Sequence, residues 1–273
     1  MAEKFPKVAQ FTTVDAFRNY LKQENIRIGL ADSVPSDGSA ALAQKIECCG
    51  RTLGNRWSIL PMEGWDCEDN GVPSELTRRR WLRFATSGAK LLYGTEAAAV
   101  MHSGRSNPQQ LMVADHTAES LKTILAEMRA AHKAKFGNAD DLMIGLQLTH
   151  SGRYSHPNRP DRLEAKTAYA HPLLDRKFSC GPENVVSDAE VEDIVRHFVH
   201  AAEIARNAGF DFVDIKSAHG YLGHEFLTAY DRKGKYGGSF ENRTRFFREI
   251  AEGIKEKCPD LILSARVSLF DIF

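Results

Sequence analysis

Apolar and polar positions along this chain follow two rhythms. Short apolar runs of strand length are separated by longer stretches in which apolar residues recur every three or four positions. The runs are Trp57–Met62, Ala89–Ala99, Leu142–Leu148, Phe210–Ile215 and Leu261–Val267. Pro61 lacks an N–H donor, so the first run is expected to stop there. Between the runs, Ser74–Ser87 reads as a helix with Leu76, Trp81, Leu82 and Phe84 as its apolar side and Gly88 as its stop. Thr117–Lys133 places Leu121, Ile124, Leu125 and Met128 on one stripe. Ser187-Asp188-Ala189-Glu190 is a capping-box sequence. It opens a helix with Val191, Ile194, Val195, Phe198 and Ala202 on one side, closed by Gly209. A last helix, capped by Ser239, turns Phe246, Phe247, Ile250 and Ile254 inward and ends at Cys258-Pro259. Strands alternating with helices predict a parallel sheet with right-handed crossovers.

The flanking segments are less regular. Residues 1–50 read as a polar N-terminal extension with a short helix over Thr13–Asn25, capped by Thr13, and loop chemistry at Pro35–Ser39. Arg51–Gly54 reads as a turn. Tyr154–Val186 reads as one long loop, of a length that is usually functional inside a compact domain.

Composition narrows the function. Of 273 residues, 36 are basic and 36 acidic, so the net charge of zero offers nothing to attract nucleic acid or an anionic membrane. No apolar run approaches the roughly 20 residues that span a bilayer. The first residues lack a basic start and apolar core, so the expectation is a soluble cytoplasmic protein. The five cysteines form no C-x-x-C pair and read as free thiols, not as a disulfide framework or a zinc site. No metal is expected.

Chemistry concentrates where the strands end. After Phe210–Ile215 the residue types change at once, to Lys216, Ser217, His219, Tyr221, His224 and Glu225. In parallel sheets, ligands sit beyond the carboxyl ends of the strands. Gathering those ends brings together Met62 and Glu63; Glu96 and Ala97; Gln147 and His150; Lys216, His219 and Tyr221; and Arg266. Taken singly, each histidine or tyrosine is more often a packing or surface residue, and Arg266 has a salt-bridge reading; the clustering at strand ends favours a site. Arg78-Arg79-Arg80 reads as a solvated helix face, and His102, His132, His156, His171 and His224 as structural or exposed. Walker, H-E-x-x-H and G-x-S-x-G sequences are not found.

The stretch Lys216-Ser217-Ala218-His219-Gly220-Tyr221-Leu222, followed by Arg232, Tyr236-Gly237-Gly238-Ser239 and Asn242-Arg243, resembles the Old Yellow Enzyme family of flavin-binding barrel oxidoreductases. That family reads H-x-A-[HN]-G-Y-L and then R-x-D-x-Y-G-G-S-x-x-N-R. Asn55-Arg56 before an apolar run ending in Pro61-Met62 is similar to the family's first strand, and His150-Ser151-Gly152-Arg153 to its third-strand motif. The resemblance covers roughly Asn55 to Asp271. It implies FMN as cofactor and NADH or NADPH as reductant for a small-molecule substrate, in a chain with a possible homo-oligomeric assembly. By the same resemblance Pro61, Met62, Glu63 and Ala97 lie along the flavin, Gln147 bonds its pyrimidine edge, and Arg266 stabilises its reduced form. Lys216 and His219 hold the substrate oxygen, and Tyr221 is the proton donor. The implied reaction is hydride transfer through flavin to an activated alkene.

Two residues depart from the pattern: Lys216 stands where the family has histidine, and Glu63 where threonine or cysteine is usual. A lysine favours a carboxylate- or phosphate-bearing substrate, unless it pairs with Glu63 or Glu225. Glu63 either repels the charge of reduced flavin or, as favoured here, turns aside to pair with Arg or Lys. Five strand–helix units are expected as the first part of a (β/α)8 TIM barrel occupying residues 51–273, with an intact five-stranded open sheet as the rival. Two other readings stand beside the ene-reductase-like one. One is a dienoyl-CoA reductase or amine dehydrogenase relative lacking its iron–sulfur region, and the other a non-catalytic fragment unable to hold FMN.

Overall fold

The computed structural model describes residues 5–270. The chain divides into two compact units at Ala40/Ala41, ahead of the boundary expected near residue 50. In the first, α1 (Val14–Gln23) starts where the Thr13 side chain accepts the Ala16 N–H at 3.1 Å. Leu21 is buried, and Phe11 stacks on Phe17 and Tyr20 with ring centroids 5.2 and 5.0 Å away.

The second unit opens with a hairpin, β1 (Ile46–Cys48) against β2 (Arg51–Leu53). The sequence reading took Arg51–Gly54 for a turn. The reversal instead lies at Cys49-Gly50, both with positive φ, a two-residue connection whose twist suits a hairpin. Cys49 is not a residue that advertises a left-handed conformation, so the signal was weak.

The central sheet is wholly parallel. Its strands are β3 (Ser58–Ile59), β4 (Leu91–Leu92), β5 (Ala97–Ala99), β6 (Met143–Thr149), β7 (Phe212–Ser217) and β8 (Ile262–Val267). They run in the order β3-β4-β6-β7-β8, with β5 also paired to β6. The second expected strand is therefore two short ladders. The first is only two paired residues long, ending before Pro61.

The helices are α2 (Glu75–Ala85), α3 (Ala118–Phe136), α4 (Pro172–Phe178), α5 (Asp188–Ala208), α6 (Leu222–Leu227), α7 (Phe240–Arg243) and α8 (Arg245–Lys257). Caps set their ends: Ser74 and Ser187 accept N–H groups of the first turn, while Gly137 and Gly209 are left-handed at the C-termini. The long loop is not structureless: α4 lies inside it, started by Pro172 after His171. Ser239 caps only the short α7, and α8 begins separately after it. Leu76, expected to face inward, is 53% exposed, because Trp81, Leu82, Phe84 and Ala85 already cover the buried side of α2.

Alternation along the strands sorts the two faces. Ile144, Leu146, Leu148, Val213 and Ile215 pack with Leu125, Ile194, Phe198, Ile250 and other helix residues in one core. The opposite face begins at its amino end with Met143 and Phe212, packed with Leu53 and partly with Tyr93 and Ile262. Gly145 has to be glycine here, since a Cβ would sit 2.2 Å from the Phe212 ring. Further along the same face the residues turn polar: Gln147, Asp214 and Ser264, then Lys216 beside Arg266. That apolar-to-polar gradient leads to the carboxyl ends of the strands.

Candidate active site

Parallel register sets the layers of the polar rim. Gln147 is level with Ala97 and Asp214, and Lys216 is level with Arg266 one layer higher. Asp214 ties the lower layer together. Its carboxylate accepts the Gln147 amide at 2.6 Å and the Tyr93 phenol at 2.9 Å, and Tyr93 meets Ser264 at 2.5 Å. Burial raises the Asp214 carboxyl above its ordinary value against the pull of these donors. With its nitrogen committed to Asp214, Gln147 presents an oxygen without a hydrogen-bond partner among the described residues. Arg266 likewise makes no ion pair among them.

The upper layer is built around Glu63, which follows β3. Four donors converge on its carboxylate: the Tyr221 phenol at 2.8 and 3.0 Å to its two oxygens, the Ser106 hydroxyl at 2.5 Å, the Lys216 ammonium at 3.2 Å, and the Trp65 indole N–H at 3.3 Å. Lys216 also lies 3.6 Å from the centre of the Tyr221 ring. Burial, then the negative charge of Glu63, raises the Tyr221 phenol above its usual value. Burial lowers the Lys216 ammonium, with Glu63 working the other way.

A second group of residues props up this segment. The N–H of Gly64 donates to buried Glu96 at 2.6 Å, and Arg80 bridges Glu96 at 2.6 Å and Asp66 at 2.8 Å. Burial pushes the Glu96 carboxyl up to about 7, opposed by Arg80, Gly64 and Trp81. Arg80, expected on a solvated face, instead turns under the Glu63 turn, while Arg78 pairs with Glu75 and Glu127 near the surface. Ser106 is held by Gln110, whose carbonyl accepts the Ser106 N–H at 2.6 Å and whose amide donates to Ala97 O at 2.9 Å.

The residues singled out from the sequence are distributed unevenly. Glu63, Lys216 and Tyr221 touch one another, and Arg266 neighbours Lys216. Ala97 is buried, with its N–H on the Met62 carbonyl at 3.1 Å, while the Met62 side chain is 71% exposed. Pro61 is buried against Gly94, where a Cβ would come within 2.3 Å. His219 stands outside the cluster: it is exposed, left-handed at φ 62°, and its backbone N–H reaches Ser268 at 3.2 Å. The two left-handed residues His219 and Gly220 reverse the chain and deliver Tyr221 to the start of α6. Arg153 is consumed by the fold, bonded to Glu225, Asp175, Cys180 and the Tyr169 carbonyl. Buried His150 accepts the Gly152 N–H at 3.1 Å, and burial lowers its imidazole to about 3.

Sequence reasoning missed Ser106, Trp65, Gln110 and Asp214. For Asp214 there was a signal, an acid in the middle of an apolar strand run; Ser106 lies in a loop with nothing to mark it.

A parallel α/β sheet with a polar rim at its strand ends defines the class of protein, and the comparisons refine it. The chain matches the NADH:flavin oxidoreductase / NADH oxidase family over residues 43–273. It therefore belongs to that family of FMN-dependent oxidoreductases. An NADPH dehydrogenase of Bacillus subtilis is 34% identical over 224 residues, 81% of this chain and 61% of the relative. An NADH:flavin oxidoreductase of Gibberella zeae is 29% identical over 255 residues, covering 87% of this chain and 59% of the relative. The chain thus spans about three-fifths of the length of these relatives. Among solved structures, morphinone reductase superposes with a TM-score of 0.66 at 24% identity, over 83% of this chain and 62% of that one. A 2-naphthoyl-CoA reductase superposes with a TM-score of 0.68 at 21% identity, over 83% of this chain and 35% of that one. Both likenesses concern the fold. Among the described residues no helix is long and apolar enough to cross a membrane, and no cluster of side chains suits a metal ion.

Proposed function

We propose that this chain carries the reactive half of an FMN site and serves NAD(P)H-dependent reduction of activated alkenes. The observation that carries the reading is the rim itself: a guanidinium with no ion pair among the described residues, an amide oxygen and a buried phenol, all at the carboxyl ends of one parallel sheet. The donor set suits a flavin. The Gln147 oxygen, without a partner among the described residues, can accept a ring N–H, and Arg266 supplies the fixed cation that a reduced, anionic flavin requires. Small, buried Ala97 leaves room beside the ring. FMN, when bound, supplies the hydride chemistry.

The protein's own groups do the rest. Lys216 has three N–H donors, of which one is committed to Glu63; the others are available to hold a substrate carbonyl as negative charge grows on it. Tyr221 moves the proton at the carbon beside that carbonyl. Because Glu63 neutralises Lys216, the anionic substrate suggested by a bare lysine gives way to neutral carbonyl compounds such as enones. His219, exposed, serves at the mouth of the site and not as the partner donor of Lys216.

The sheet is read as the first five strand–helix units of a (β/α)8 barrel. Strand order is sequential and the helix-packed core lies on a single face, whereas an open doubly wound sheet carries helices on both. The test is direct. The chain is mixed with FMN and gel-filtered, then reduced anaerobically with NADPH and titrated with a panel of enones. Retained flavin absorbance and reoxidation by enone support the reading; a colourless protein overturns it.

A further inference from the structure

The contacts of Tyr221 define which way its proton runs. A tyrosine that gives up a proton needs surroundings that tolerate a phenolate. Here the phenol already donates to both oxygens of Glu63, at 2.8 and 3.0 Å, so loss of its proton to a substrate would leave two negative charges within hydrogen-bond distance. Taking a proton carries no such penalty, because the phenol can pass its own hydrogen to Glu63 as it accepts another.

We propose that Glu63 and Tyr221 act as one proton-accepting pair, giving the site an activity that needs no reductant: enolisation of saturated ketones and aldehydes that carry a hydrogen beside the carbonyl. In this step the C–H bond breaks and an O–H bond forms at Tyr221. The phenol's former O–H bond breaks and a new one forms at Glu63, and the C–H electron pair moves into the enolate. Lys216 lies 3.6 Å from the ring centre and 3.2 Å from Glu63, placing an ammonium where the enolate oxygen requires one. Return of a solvent proton through the same pair regenerates the ketone. With Glu63 protonated the pair works in the opposite sense and delivers a proton to carbon, as alkene reduction requires. The proposal rests on the reading of this rim as the substrate site.

Other groups face the pair from the elements around it. Ser106 and Trp65 donate to Glu63 and do not titrate in the working range. Arg266 adjoins Lys216 from β8, His219 follows β7, Asp214 lies one layer below, and Glu96 engages the next backbone N–H after Glu63. Among these neighbours Glu63 is the acceptor of the Tyr221 proton.

The experiment follows cyclohexanone in deuterated buffer by NMR, with the 273-residue chain plus FMN and no reductant. Deuterium uptake at the carbon beside the carbonyl is read over time. Exchange is expected to exceed the buffer rate. Tyr221→Phe is expected to lower it by about a hundredfold and Glu63→Gln by at least about tenfold, while Glu63→Asp recovers part. A merely structural Glu63 would change the melting temperature of Glu63→Gln and leave the exchange rate of the folded variant intact. Wild-type exchange in Tyr221→Phe, or in folded Glu63→Gln, overturns the proposal. Enone reduction without exchange overturns the pair and leaves the reductase reading standing. Exchange without enone reduction supports the pair and removes that reading. Absence of both reactions overturns both.

Discussion

Tyr221 and Glu63, separated by 158 positions in the chain, share two hydrogen-bond distances of 2.8 and 3.0 Å at the rim of the sheet. The contact joins the segment after β3 to the segment after β7. It places a buried phenol against a carboxylate, at a position where the resemblance leads to an expectation of threonine or cysteine. The same carboxylate pairs with the Lys216 ammonium at 3.2 Å.

Arg266 is the fixed cation of the flavin reading. Replacing it by glutamine removes one charge-assisted contact worth about 1.5–3 kcal/mol to the reduced form. For a two-electron couple that corresponds to a potential lower by about 30–60 mV. Spectroelectrochemistry of the FMN-loaded Arg266→Gln protein measures it, and an unchanged potential would remove Arg266 from the flavin.

Arg153 and Glu225 form a buried ion pair at 2.5 Å, and Glu225 also accepts the Ala168 N–H at 2.9 Å. The pair pins the segment before α4 to α6. Glu225→Ala leaves a buried guanidinium with Asp175 as its remaining carboxylate, and should destabilise the chain by about 3 kcal/mol. Denaturant unfolding reads the loss, and protease cleavage near Ala168 should increase in parallel.

His150 is buried, and its imidazole is lowered from 6.5 to about 3. Its folded form therefore stays neutral while the unfolded chain takes up a proton, so this group contributes stability above pH 6.5 that is lost as pH falls toward 3. Each pH unit in that window costs about 1.4 kcal/mol. His150→Gln should flatten the acid limb of a stability–pH curve relative to wild type. Glu96, raised to about 7, acts in the opposite sense and favours the fold as pH falls through that value, so the difference between the two proteins is the quantity to compare.

Gly145 faces the ring of Phe212 at a distance that leaves no space for a methyl group. Gly145→Ala should cost about 1–3 kcal/mol by overpacking. Phe212→Leu in the same chain should recover part of that loss, although it destabilises on its own. A double-mutant cycle that shows simple additivity would mean that the two positions do not press on each other.

What could be read from the sequence alone was local in origin. Helix periodicity located α2, α3 and α5 within a few residues, because a buried stripe and a cap are written into neighbouring positions, and it found the inward stripe and the end of α8 but not its start. Apolar runs likewise located the strands, and the change of residue type after Ile215 marked where polar side chains gather. Strand lengths, the hairpin at Cys49-Gly50 and the helix within the long loop were not legible, since each depends on partners distant in the chain or on a turn residue of low specificity. Tertiary structure alone decided what Glu63 does. The register between strands brings Lys216, Tyr221 and Ser106 to one carboxylate and turns Arg80 beneath it, and no short window of residues carries that information. Local pattern reports which face of an element is apolar. Which polar groups meet on the other face is settled by how the strands align, and in this protein that alignment brings an acid, a lysine and a phenol together at the rim.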